Sequence, residues 1–123
     1  MGQSFKELFV WQKAIALTLA IYKLTESFPP SERYGLTDQL RRAAVSIASN
    51  IAEGYGRSTR GEYLQFLGYA RGSNCEVETQ LVIVVALGLG VESNRAIVER
   101  LCADVSRLLR GLMQKLRSNP SGS

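Results

Sequence analysis

Apolar residues return at helical intervals in four separate stretches of this chain. In the first, Val10, Ala14, Leu17, Ile21, Leu24 and Phe28 alternate spacings of four and three, the seam pattern of packed helices. Leu8, Trp11, Ile15 and Tyr22 widen that face and leave Lys13, Lys23 and Ser27 for water. The pattern predicts a first helix from about Lys6 to Phe28, stopped by Pro29 and Pro30. Proline has no N–H to donate and disfavours helical geometry in the residue before it.

A second helix is predicted from Gly35–Asp38 to Gly54 or Tyr55, with Thr37 as its cap and Leu36, Leu40, Ala43, Ile47 and Ile51 facing the core. Between Arg42 and Glu53 it carries no charge, and it is made of Ala, Ser and Ile rather than Leu and Phe. Such a helix lets neighbouring backbones come close. The third helix should start near Glu62 and end by Leu87, where Gly88 and Gly90 stop it. Its Val-rich end reads locally like a buried strand, but no second strand exists to pair with it. The fourth runs from about Ser93 to Leu116, with Ile97, Leu101, Val105, Leu108, Leu112 and Leu116 facing in.

Long helices with short connections predict an all-α fold, an antiparallel up-down-up-down four-helix bundle. Residues 1–117 form this single domain, and 118–123 form a disordered tail. Folding back about the Arg57–Gly61 turn sets Ala48 and Ala52 near Gly68, and Ser46 near Gly72, in a close helix contact; Asn50 and Glu53 are assigned to helix packing or subunit contact. The same register predicts an ion pair between Arg42 and Glu76. The first helix is apolar around more than half its circumference, and the third carries no charge from Thr79 to Val91. A bundle needs only one apolar stripe per helix, so the excess predicts a subunit interface; a generously buried core is the alternative.

Composition narrows the chemistry. The chain has 123 residues, 46% hydrophobic and 21% charged, which suits one globular domain. Its lack of histidine removes the commonest general base and metal ligand. Cys75 and Cys102 have no ligand spacing and read as small hydrophobes in a reducing compartment. Glu76 and Glu78 point to different helix faces, and Ser46, Ser49 and Asn50 have no base nearby. Gly54-Tyr-Gly56 and Gly88-Leu-Gly90 lack the strand, Lys and Ser/Thr of a phosphate loop. These absences argue against an enzyme, a resident metal or a cofactor. The apolar runs Ala14–Tyr22 and Leu81–Leu87 read as buried helix rather than a signal or membrane segment, and the protein as cytoplasmic.

Charge offers the better lead, although 15 Lys+Arg against 11 Asp+Glu is a modest excess. Arg100, Arg107, Arg110 and Arg117 share one broad arc of the fourth helix, with Gln114 among them. In the bundle, Lys6, Arg57, Arg60, Lys115 and Arg117 should gather at one end, opposed by Glu7 and Glu62. Together with Arg107 and Arg110 they form a candidate polyanion interface. Tyr55 and Tyr63 are the stacking candidates beside it. The bland alternative is that these arginines complement a helix C-terminus and that Arg100 pairs with Asp104.

Ordered blocks then carry a resemblance. They are Phe9-Val-Trp-Gln-Lys-Ala14, Phe28-Pro, Tyr34-Gly-Leu-Thr-Asp-Gln-Leu-Arg-Arg-Ala-Ala44, Ser49-Asn-Ile-Ala-Glu-Gly54 and Gly72-Ser-Asn-Cys-Glu-Val-Glu-Thr-Gln-Leu81. The chain resembles, up to about Gly90, the bacterial four-helix bundle proteins encoded in intervening sequences of 23S ribosomal RNA genes; the fourth helix carries no such block. A related branch resembles the accessory variability determinant of diversity-generating retroelements, which assists a reverse transcriptase. The resemblance implies a homopentameric barrel and, through the retroelement branch, a nucleic-acid role; it supplies no catalytic residues. The leading expectation is a non-enzymatic oligomer that binds RNA or DNA through a basic end or rim. The alternative is a structural or protein-interaction module without nucleic acid.

Overall fold

The structure, a computed structural model, describes residues 4–118. Its helices are α1 (Phe9–Thr25), α2 (Leu36–Tyr55), α3 (Arg60–Leu87) and α4 (Glu92–Arg117), with short 3-10 turns at Phe5–Glu7 and Pro30–Glu32. No strand occurs among the described residues, so the Val-rich end of α3 is helical as expected. The disorder expected of 118–123 falls outside the described residues except at Ser118, whose N–H caps α4 on the Gln114 carbonyl.

Each boundary has a local cause. Thr25 turns its hydroxyl onto the Ile21 carbonyl, and α1 ends there rather than at Phe28. Pro30 then occupies the first turn of the short 3-10 segment, where its missing N–H costs nothing. Thr37 is not the cap of α2: the helix begins one residue earlier, and the Glu32 carboxylate accepts from the Leu36 N–H at 3.4 Å. Thr59 caps α3 by accepting from Glu62 N–H at 3.1 Å. Gly88 ends it with φ of 70°, a conformation glycine adopts without steric cost.

Helices that neighbour in sequence neighbour in space. Contacts join α1 to α2, α2 to α3, α3 to α4 and α4 to α1, and none joins a diagonal pair. The core runs down the centre. All six stripe residues predicted for α1 are buried, as are Leu40, Ala43, Ile47 and Ile51 of α2. On α4 the buried stripe is Val98, Leu101, Cys102, Val105, Leu109 and Met113, about one residue round from the prediction. Ile97 is exposed, and Leu108, Leu112 and Leu116 pack part-buried at the core's margin. With apolar residues on both sides of the seam, only the neighbouring helices decide which stripe points inward.

The α2–α3 register came out nearly as predicted, but the rotation of α2 did not. Ser46 meets Ser73 at 2.9 Å, and Gln80 Nε2 donates to Gln39 Oε1 at 3.2 Å. Ala48 and Ala52 line a groove against α1, with Trp11, Ile15 and Thr18, so neither faces Gly68. A Cβ on Gly68 or Gly72 would meet nothing within 4 Å, so neither glycine makes the close contact. That contact lies at Gly54, where a Cβ would stand 2.8 Å from the Cβ of Phe66. The predicted Arg42–Glu76 pair does not form. Arg42 instead meets Asp38 one turn back at 2.9 Å, a partner its own helix already holds in reach.

Candidate nucleic-acid interface

The start of the chain, the α2–α3 turn and the finish of α4 share one end of the bundle. Arg60 Nη1 donates to the Leu116 carbonyl at 3.3 Å, tying the first turn of α3 to the last turn of α4. Leu8, Phe9 and Val10 border an open apolar groove with Arg107, Leu108, Gly111, Leu112 and Lys115. The end therefore brings together Lys6, Arg57, Arg60, Lys115 and Arg117, while Arg107 stands on the flank of α4.

Several of these cations are already engaged. Arg57 pairs with Glu53 at 2.8 Å and lies over the Phe66 ring, 4.7 Å from its centroid. Arg107 meets Asp104 at 3.3 Å, and Asp104 also pairs with Lys13 across the α1–α4 seam at 3.3 Å. Asp104 thus serves Lys13 and Arg107 rather than Arg100. The Lys13 hydrogen bond, with a smaller contribution from Arg107, holds its carboxyl below the usual range against the opposing pull of desolvation. Lys6 is exposed, and its backbone N–H is held by the Ser4 hydroxyl at 3.1 Å. Lys115 and Arg117 are exposed in the last turn of α4, where cations also favour the helix dipole.

The stacking candidates serve packing. Tyr55 and Tyr63 meet edge to face with centroids 6.1 Å apart, and Tyr63 is half-buried, its hydroxyl pKa raised first by desolvation. Phe9, by contrast, stands 77% exposed beside Lys115 and Arg107. In the sequence it belongs to the Phe9–Ala14 block and to none of the charge or stacking patterns. Its clue was an aromatic residue just outside the apolar stripe of α1.

A second feature lies at the other end of the bundle and was not predicted. Glu78, Leu81, Val82, Val85, Glu99 and Cys102 line a groove of about 310 Å³ between α3 and α4. The Cys102 thiol is buried and its pKa is pushed up to about 12 by desolvation, with Glu78 and Glu99 adding to it. Neighbouring Asn74 is buried; its Nδ2 donates to the Cys102 carbonyl at 3.0 Å, and its Oδ1 has no partner. Arg95 closes the α3–α4 connection by donating to the carbonyls of Leu89 and Gly90. No cluster suited to a metal ion occurs among the described residues.

Four helices, each touching its sequence neighbours, and no strand among the described residues define the fold class as an all-α four-helix bundle. The chain belongs to the 23S rRNA-intervening sequence protein family, whose sequence model matches residues 6–111. Among solved structures it is similar to a crystal structure of a protein with unknown function from the S23 ribosomal protein family of Bacteroides thetaiotaomicron VPI-5482. Identity is 18%, the match covers 85% of this chain and 95% of that one, and the TM-score is 0.77. At that identity the likeness shows the fold. No curated protein matches the sequence.

Proposed function

We propose that this protein is a non-enzymatic oligomeric module that holds RNA or DNA on its basic end. The gathering of Lys6, Arg57, Arg60, Lys115 and Arg117 where α1 begins and α4 finishes carries the reading. One such end is a weak electrostatic feature, since the net charge is only +4. Repeated around a ring it becomes a collective field able to attract phosphate. The family resemblance supports five copies in a barrel. It also supports a reverse transcriptase as partner through the retroelement branch, although the modest charge favours a plain nucleic-acid contact. Among the described residues no helix is long and apolar enough to cross a membrane, and we assign the protein to the cytoplasm.

The test is binding of short single-stranded and duplex RNA and DNA across a salt series. Each phosphate neutralised by a cation releases condensed counterions, so affinity should fall steeply with salt. Replacing Lys6, Lys115 and Arg117 by Ala should weaken binding to all sequences alike and flatten the salt slope by about one unit per lost contact. Micromolar protein that binds no nucleic acid at low salt overturns the reading. The exposed Phe9 beside Lys115 favours a second one, a protein-interaction module. Under that reading a partner captured from cells stays bound after nuclease treatment.

A further inference from the structure

The two outer faces of the bundle are complementary. Because helices contact only their sequence neighbours, the α1/α2 face and the α3/α4 face lie on opposite sides of the protomer. The α1/α2 face presents Arg41 and Arg42 beside Val45 and Tyr22. Arg41 lies over the Tyr22 ring at 4.4 Å, and the Arg42 side chain is 79% exposed. Asp38 is the acid between them and takes only Arg42, so the face keeps a positive excess. The α3/α4 face presents Glu78 and Glu99 around Val82, which is 69% exposed. Glu92 extends its acid along the groove; Arg95, the cation there, donates to the carbonyls of Leu89 and Gly90.

Height along the bundle decides what these charges can do. The Gln39–Gln80 and Ser46–Ser73 contacts bracket α2 against α3 and set Arg41 and Arg42 level with Glu78 and Val77. The Asn74–Cys102 bond sets Glu99 level with the same turn. The opposite charges therefore stand at one height on opposite sides. Apolar surface accompanies the charge on both faces: Tyr22 and Val45 beside the arginines, Val82 and Val85 beside the glutamates.

We propose that the α3/α4 face of one copy docks on the α1/α2 face of a second copy, setting Glu78 and Glu99 against Arg41 and Arg42. This rests on the oligomeric half of the proposed function and assigns the surface that makes it. Each copy uses two different faces, so the interface is heterologous and every added copy exposes a fresh face. Because the charged bands are level, neighbours stand side by side without axial offset. Such an assembly does not climb along the bundle axis, and it closes into a ring where each contact also adds a rotation about that axis. The absence of offset keeps every basic end on the same side of the assembly.

The experiment is the molar mass of the full chain by light scattering after size exclusion, with circular dichroism to check folding. The wild-type chain should assemble. Glu78→Arg with Glu99→Arg should lower the mass to that of one 13.6 kDa chain, as should Arg41→Glu with Arg42→Glu, each weakening association by about a hundredfold or more. All four changes in one chain should restore assembly, which a folding defect could not do. Folded reversal variants that keep the wild-type mass overturn this interface and leave the proposed function standing. So does a folded four-fold variant that stays monomeric. A monomeric wild type at high micromolar concentration overturns both this interface and the oligomeric half of that function.

Discussion

The α2–α3 contact and the α3–α4 contact share one helix and differ in almost everything else. Between α2 and α3 the backbones close up at Gly54, and small polar groups pin the seam at Ser46–Ser73 and Gln39–Gln80. It is the most extensive contact in the bundle. Between α3 and α4 the helices touch least of the four neighbouring pairs and leave the groove above Cys102. Two polar side chains bridge them: Asn74 to the Cys102 carbonyl in the interior and Arg60 to the Leu116 carbonyl at the end. The difference follows from side-chain size. Ser46 and Gly54 let α2 approach α3, whereas Leu81, Val82 and Val85 on α3 border an open groove beside α4.

Thiol chemistry should separate the two sides of α3 most strongly. Cys75 is exposed, while Cys102 is buried with its pKa raised to about 12. In the native protein Cys102 should react about a thousandfold more slowly than an exposed thiol of ordinary acidity. Timed alkylation followed by mass spectrometry would measure the ratio. Rapid native labelling of Cys102 would show that the α3–α4 seam opens readily.

At the tight seam, Gly54→Leu should cost about 3 kcal/mol, because the added side chain starts 2.8 Å from Phe66 Cβ and must push the helices apart. Chemical denaturation would read this as a lower midpoint. At the looser seam, Asn74→Ala should cost about 1.5 kcal/mol by deleting its hydrogen bond to Cys102. If Asn74→Ala proved the more damaging of the two, the ranking of the seams would be reversed.

Gly72→Ala should do the opposite and add roughly 0.5 to 1 kcal/mol of stability. Its Cβ enters open space on an exposed helix face, where alanine outranks glycine. A destabilised Gly72→Ala would mean that α3 packs differently from the arrangement seen.

The smallest effect concerns acid. Asp104 has its folded pKa depressed by Lys13 first and Arg107 second. The stability it contributes is therefore present above the ordinary aspartate value and lost as pH falls through the lower folded one. Asp104→Asn should be slightly less stable than the wild type near neutral pH. The gap should close as the pH falls below the ordinary aspartate range and through the lower folded value, in melts followed by circular dichroism. A gap that widened in acid would contradict the Lys13–Asp104 link.

Legibility from sequence tracked how strongly one local pattern outweighed its competitors. The stripe of α1 was readable residue by residue, because its alternating spacing of four and three runs unbroken from Val10 to Phe28. The stripe of α4 came out one residue off, since Leu108, Leu112 and Leu116 make a second apolar line beside Val105, Leu109 and Met113. The basic end was legible, because helix order alone fixes which termini meet. The grouping of Glu78 with Glu99, and of Arg41 with Tyr22, was not. Those pairs lie far apart in sequence and depend on how each helix is rotated about its axis.

By itself, then, the sequence determined four helices, their order round the core and the end at which the cations collect, because periodicity, proline, glycine and short connections are local properties. Only the tertiary structure decided rotation. It turned Ala48 and Ala52 toward α1, gave Arg42 to Asp38, sent Gly68 outward and left Glu78 and Glu99 facing out of the opposite side. Rotation follows from packing all four helices at once, and a few degrees on one helix are set by side chains on the other three.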